Sequence, residues 1–189
     1  FRRATFVRRH GPHCHPRDAT QEARNTGRKI KIKRRTRRRE LQQCKQHLNN
    51  ETIKDVQVAD FVLTFRVKST KDTGGHRDCC IFFNWQGPQN FYYVHLGARP
   101  DPHSGQIMIV KNAPRKAMTT NKNLTPWKNE TWHKVKLVRD SKAGTIAVYF
   151  DDLTKPHMQV SDKTFGKGRI GIGSFDDMND FDDIQLRGR

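Results

Sequence analysis

From Ile53 onward the apolar residues settle into a period of two. Val56, Val58, Phe61, Leu63, Phe65 and Val67 are mostly spaced by two residues, as in a strand with one buried and one wet face. The segments 79–85 and 90–96 are also strand-like and flank Gln86-Gly87-Pro88-Gln89, which predicts a hairpin. Strand parity sends Tyr92, Val94 and Leu96 to one side of the second segment and Phe91, Tyr93 and His95 to the other. The first set reads as core, and the second as a surface available for chemistry.

Further short strands are predicted over 106–111, 131–139, 145–150, 156–160, 169–175 and 181–187. The segments 98–105 and 140–144 are turn-rich, and 112–130, rich in Pro, Asn, Lys and Thr, reads as a long surface excursion. In 131–139, Val135 and Leu137 alternate with polar residues, and Trp132 is expected in the core. About nine short strands without a helical period predict an all-β, antiparallel β-sandwich over 53–189.

The first 52 residues break this pattern. Their apolar positions are few and scattered, and residues 1–50 hold 16 basic and 3 acidic side chains, against 37 and 19 in the whole chain. Most of the net charge of +18 therefore belongs to this part. The run Arg28-Lys29-Ile30-Lys31-Ile32-Lys33-Arg34-Arg35-Thr36-Arg37-Arg38-Arg39 repels itself and offers little apolar surface, so 1–52 is expected to be a disordered basic segment. Clustered Arg would also neutralise phosphates, which keeps nucleic-acid binding as an alternative, although no stacking aromatic accompanies the run.

No stretch of about 18 apolar residues exists to span a membrane. The chain begins at Phe1 with no apolar signal core, which suggests a fragment or processed form. Cys14, Cys44, Cys79 and Cys80 do not form a disulfide framework. Cys79 and Cys80 are adjacent in a strand and point to opposite faces, as small apolar residues. His13, Cys14 and His15 lack a second ligand pair at zinc spacing.

The segments Trp132-His133-Lys134-Val135-Lys136-Leu137-Val138-Arg139, Gly144-Thr145-Ile146-Ala147-Val148-Tyr149-Phe150-Asp151-Asp152, Gly168-Arg169-Ile170-Gly171-Ile172-Gly173-Ser174-Phe175 and Phe181-Asp182-Asp183-Ile184 give the chain a resemblance to the concanavalin A-like lectin and glucanase jelly roll. More closely it resembles secreted bacterial proteins of the 3-keto-disaccharide hydrolase family, in which a strand with His-Arg-Asp precedes one with Tyr-Tyr-Val-His-Leu. The resemblance covers about 54–188 and implies a secreted or periplasmic protein acting on or binding a glycan or 3-keto glycoside. It also implies strands before Val56, which 1–50 do not visibly supply, so this segment is expected to be non-native to the fold and to leave a sheet edge unpaired.

In such a jelly roll one sheet is concave, and alternate residues of its strands line a groove. Aromatic faces stack on sugar rings there, while His, Arg and carboxylates bond the hydroxyls. The candidate catalytic residues are His76, Arg77, Asp78 and His95, with a histidine as general acid or base and Arg77 facing a carboxylate or keto oxygen. A structural alternative pairs Arg77 with Asp78 or Asp60. Trp85, Tyr93 and Trp127 are the candidate sugar platforms. The acidic cluster 176–183 suggests a structural calcium held by Asp182 or Asp183, a ligand set that the resemblance favours, while Asp capping of backbone amides is the plainer reading. Glu51 and Glu130 are the only glutamates beyond residue 50, so a glucanase with two catalytic carboxylates on one strand is not expected. A carbohydrate-active enzyme and a non-catalytic carbohydrate-binding or interaction module both remain open.

Overall fold

The computed structural model describes residues 56–189, together with the backbone of three short strands before them. The strands are β1 (Thr5–Arg8), β2 (Ile30–Ile32), β3 (Glu51–Lys54), β4 (Phe61–Ser69), β5 (Cys80–Gly87), β6 (Asn90–His95), β7 (Ile107–Lys111), β8 (Lys116–Ala117), β9 (His133–Arg139), β10 (Thr145–Phe150), β11 (Met158–Ser161), β12 (Arg169–Gly173) and β13 (Asn179–Gly188). They form two antiparallel sheets: a seven-stranded one in the order β1-β3-β12-β5-β6-β7-β8, and a six-stranded one in the order β11-β10-β9-β4-β13-β2. All nine strands expected from residue 56 onward are present. The fold is an antiparallel β-sandwich.

The core lies between the sheets because each strand turns its apolar set inward. Leu63, Phe65 and Val67 of β4, Val135 and Leu137 of β9, Ile146 and Val148 of β10, and Ile184 and Leu186 of β13 meet Ile81 and Phe83 of β5, Tyr92 and Val94 of β6, and Ile170 and Ile172 of β12. Phe61 meets Phe83 edge to face across the gap, with centroids 6.0 Å apart. Burial of this apolar surface supplies the main drive for closing the sandwich.

Three parts depart from the sequence reading. Trp132 is outside the core: it is 38 % exposed and lies under the cations of Arg66 and Lys68, at 5.0 and 5.4 Å from its ring centroid. The 112–130 excursion is pinned rather than loose. Gln106 Oε1 accepts from Thr119 Oγ1 (2.7 Å) and the Asn121 amide (2.9 Å), and β8 adds a short strand at the sheet edge. The third concerns the edges near the N-terminus, where β3 pairs with β12, β1 with β3, and β2 with β13. The expectation that 1–52 is a disordered or non-native basic segment otherwise lies outside the described residues. So do Cys14, Cys44, the His13-Cys14-His15 group and the side chains of the basic run. Among the described residues no helix is long and apolar enough to cross a membrane.

Candidate functional site

The outer face of the seven-stranded sheet is built by the alternate residues that the core does not use. In the β5–β6 register Cys80 stands opposite His95, and Phe82 opposite Tyr93. With Phe91 and Met108 these residues form a second apolar cluster, separate from the inter-sheet core. Its aromatic rings are continuous. Phe82 stacks on Tyr93 (5.5 Å, 18°), Trp85 stacks on Phe91 (4.2 Å, 28°), and Phe175 from the β12–β13 loop closes edge-on over Tyr93 at 6.0 Å. Arg115 lies over Phe175, 5.9 Å from its centroid.

This layer places the predicted platforms differently. Tyr93 has the outward parity expected of it, yet it is only 2 % exposed, because Phe82 and Phe175 cover its ring. Burial pushes its phenol up, and Arg115 opposes that shift. Trp85 is half-buried at the far end of the layer and borders a depression of about 350 Å³ with Gln57, Gln86, Pro88, Lys167 and Arg169 along its walls. Trp127 is on the other side of the sheet. Its indole donates to the Leu96 carbonyl at 2.9 Å and its ring packs edge-on against Phe150 at 5.0 Å, so it is a core residue and no platform.

The four candidate catalytic residues do not converge on one cavity. Asp78 and His95 are buried and paired, with His95 Nε2 3.1 Å from Asp78 Oδ2. Asp78 also accepts from the Ser174 hydroxyl, from the Phe175 amide at 3.0 Å and from the Asp177 amide at 3.3 Å. Burial alone would raise its pKa, but hydrogen bonds from His95 and Ser174, the His95 charge and the Phe175 amide outweigh it and hold the carboxyl below the usual range. Arg77 pairs with neither Asp78 nor Asp60. Its guanidinium bonds Asp72, Asn129 and the Gly74 carbonyl, which fixes the turn before β5. His76 is exposed on that turn, beside a shallow hollow lined by Lys71, Asp72, Thr73 and Asp176.

Asp182 and Asp183, expected to hold calcium, both face Arg66, whose Nη2 and Nε lie 2.6 and 3.0 Å from their carboxylates. The guanidinium supplies the positive charge at this bulge, where Asp183 has a left-handed φ of 49°.

The sequence reading missed two buried polar clusters. Arg139 is 2 % exposed and donates to Asn84 Oδ1 and to the carbonyls of Gly144, Asp162 and Phe165. His133 is buried between Asp151 (2.8 Å from Nδ1) and the Lys128 amide, which donates to Nε2 at 3.1 Å. Parity could have found both, since residues 133, 135, 137 and 139 share one face of β9.

No protein-family model matches the sequence, and no curated protein is similar to it at the sequence level. Among solved structures, the fold is similar to a carbohydrate-binding module, CBM66 from Bacillus subtilis, with a TM-score of 0.59 and 15 % identity over 76 % of this chain and 84 % of that one. It is also similar to the winged bean acidic lectin complexed with methyl-alpha-D-galactose, with a TM-score of 0.51 and 11 % identity over 72 % of this chain and 77 % of that one. The chain therefore has the concanavalin A-like jelly-roll fold. A protein described as a "putative glycosyl hydrolase" from Parabacteroides distasonis is similar too, with a TM-score of 0.52 and 12 % identity over 74 % of this chain and 83 % of that one. The finer likeness to 3-keto-disaccharide hydrolases is not confirmed by these matches.

Proposed function

We propose that this protein is a non-catalytic carbohydrate-binding module, holding a glycan on the outer face of its seven-stranded sheet at the Trp85 end. The observation that carries this reading is the Trp85–Phe91 stack, with its half-buried indole at the edge of the depression that also presents Gln86, Lys167 and Arg169. An indole held rigid by a ring beneath it offers a flat surface to the C–H face of a sugar at little entropic cost. The amide and the two cations around it suit hydroxyl or carboxylate groups of the same ligand. The jelly-roll fold agrees with this reading, since one similar structure is described as a carbohydrate-binding module and another as a lectin in complex with a galactoside.

Binding without turnover is favoured over hydrolysis because Asp78 and His95 are buried and bonded to each other, while His76 and Arg77 stand apart from them on an outer turn. Glycan-array screening of the full chain followed by calorimetry on the strongest ligand tests the proposal. Trp85→Ala should weaken binding at least tenfold, and wild-type protein should release no new reducing ends. Equal affinity in Trp85→Ala would remove the site, and released sugar would restore the enzymatic reading.

A further inference from the structure

Asp78 and Cys80 are two residues apart and turn to the same face, and His95 is the cross-strand partner of Cys80 in the β5–β6 register. A carboxylate oxygen of Asp78, Sγ of Cys80 and a ring nitrogen of His95 consequently lie within 4.8 Å of one another, and all three residues are buried. Each is oriented from outside the group. His95 Nδ1 is 2.9 Å from the His103 carbonyl, to which it donates, and this turns Nε2 toward Asp78 Oδ2. Asp78 Oδ1 accepts from Ser174 and from the Asp177 amide, while Oδ2, the oxygen 3.1 Å from His95 Nε2, also accepts from the Phe175 amide at 3.0 Å. A histidine tied back through its other nitrogen and a carboxylate held in place by neighbouring hydrogen bonds are the supports that metal-ligating side chains characteristically have.

We propose that Asp78 Oδ2, Cys80 Sγ and His95 Nε2 form a binding site for a zinc-class divalent transition metal, with water or an added ligand as fourth donor. The donor set carries the choice of ion. A thiolate beside an imidazole selects against calcium and magnesium, which take oxygen, and suits tetrahedral zinc, which binds Cys, His and Asp together. Charge points the same way, because one thiolate and one carboxylate neutralise a divalent ion and leave the buried site with no net charge. Loading displaces the thiol proton of Cys80, so affinity should rise with pH. Phe175 lies over His95 at 5.1 Å and is itself partly exposed, so the ion enters by displacing this ring. The site does not depend on the carbohydrate reading.

Anaerobic titration of the reduced full-length chain with cobalt(II) tests it. One equivalent should give the visible bands of a tetrahedral ion and a thiolate-to-cobalt charge-transfer band in the near ultraviolet, both displaced by zinc. Cys80→Ser and His95→Gln should each lose the charge-transfer band or weaken cobalt binding more than tenfold, with far-ultraviolet circular dichroism checking that each is folded. The double variant Cys14→Ser/Cys44→Ser should keep the band. If wild type shows no such band, or if the band vanishes with Cys14 and Cys44, the proposal fails. These two measurements decide it even if the site variants do not fold. A band that survives both Cys80→Ser and His95→Gln would also overturn it.

Discussion

Arg139 of the six-stranded sheet donates from Nε to Oδ1 of Asn84 of the seven-stranded sheet at 3.1 Å, joining the two layers through a buried charge. The same guanidinium serves the carbonyls of Gly144, Asp162 and Phe165 at 2.8 to 2.9 Å and lies over the Tyr92 ring at 5.3 Å. Tyr92 completes the cluster by donating to Asp162 and accepting from the Phe165 amide, and burial, with the Asp162 carboxylate beside it, pushes its phenol up to about 12. Arg139→Met fills similar volume but strands several acceptors. It should cost about 3–5 kcal/mol, the range for breaking a buried charged network on one side. Arg139→Lys should recover only part, since a point-like ammonium cannot reproduce the planar fork. Urea unfolding midpoints check this, and a loss below about 1 kcal/mol would mean that water replaces the guanidinium.

How much of this was legible in the chain depended on which force set the feature. The strands and the division of Tyr92, Val94 and Leu96 from Phe91, Tyr93 and His95 follow from the two-residue period and were readable directly. In 131–139 residue polarity and strand parity disagree. Polarity sends Trp132 inward and Arg139 outward, whereas position on the pleat puts Arg139 in and Trp132 out. The burial of Tyr93 was not legible, because Phe175 reaches it from a loop 82 residues later in the sequence. The Arg66 pairing of Asp182 and Asp183 is likewise a product of sheet order, which composition does not encode.

Asp78 and Asp177 should respond to pH with opposite signs. Asp78 is more acidic in the folded state, so its ionised form stabilises the fold. That contribution is fully present above the unfolded value of about 3.9 and is lost as pH falls toward the lower folded value. Burial makes Asp177 less acidic when folded, despite bonds from the Met178 amide, Ser69 and Thr73. Its ionisation therefore costs stability, beginning as pH rises past the unfolded value and complete above the raised one. The cost of Asp78→Asn should be greatest near pH 7 and shrink toward pH 3. Asp177→Asn should compare best with wild type near pH 7 and lose that advantage in acid. Urea melts of the three proteins at both pH values decide the matter, and parallel slopes would contradict it.

Arg66 should matter much less than its many contacts suggest. It pairs with Asp182 and Asp183 and covers Trp132, but all of these groups are about a third exposed or more. Solvent screens such pairs, so Arg66→Gln should cost no more than about 1 kcal/mol, and less in high salt. A thermal melt at low and high ionic strength would show it. A cost of several kcal/mol, unaffected by salt, would mark the bulge as a buried electrostatic centre.

Gly168 is where the proposed sugar site and the fold constrain each other most directly. A Cβ there would lie 2.4 Å from the carbonyl carbon of Asn84 and 2.6 Å from the Trp85 nitrogen, so the clash is with backbone that has no rotamer to yield. Asn84 is itself fixed at a left-handed φ of 44°, with its amide donating to the Val58 carbonyl at 3.2 Å. Gly168 also exchanges backbone hydrogen bonds with Val58, at 2.9 and 3.1 Å. Gly168→Ala must therefore push the segment before β12 away from β5 at the bulge that carries Trp85. The cost should be about 3 kcal/mol, at the upper end for inserting one methyl group into packed structure. The protein that remains folded should bind its glycan more weakly, because the depression walls move apart. Gly166→Ala, two residues away with open space around its Cα, should leave both stability and affinity near wild type. Equal losses in the two variants would show that loop flexibility rather than this close approach sets the site.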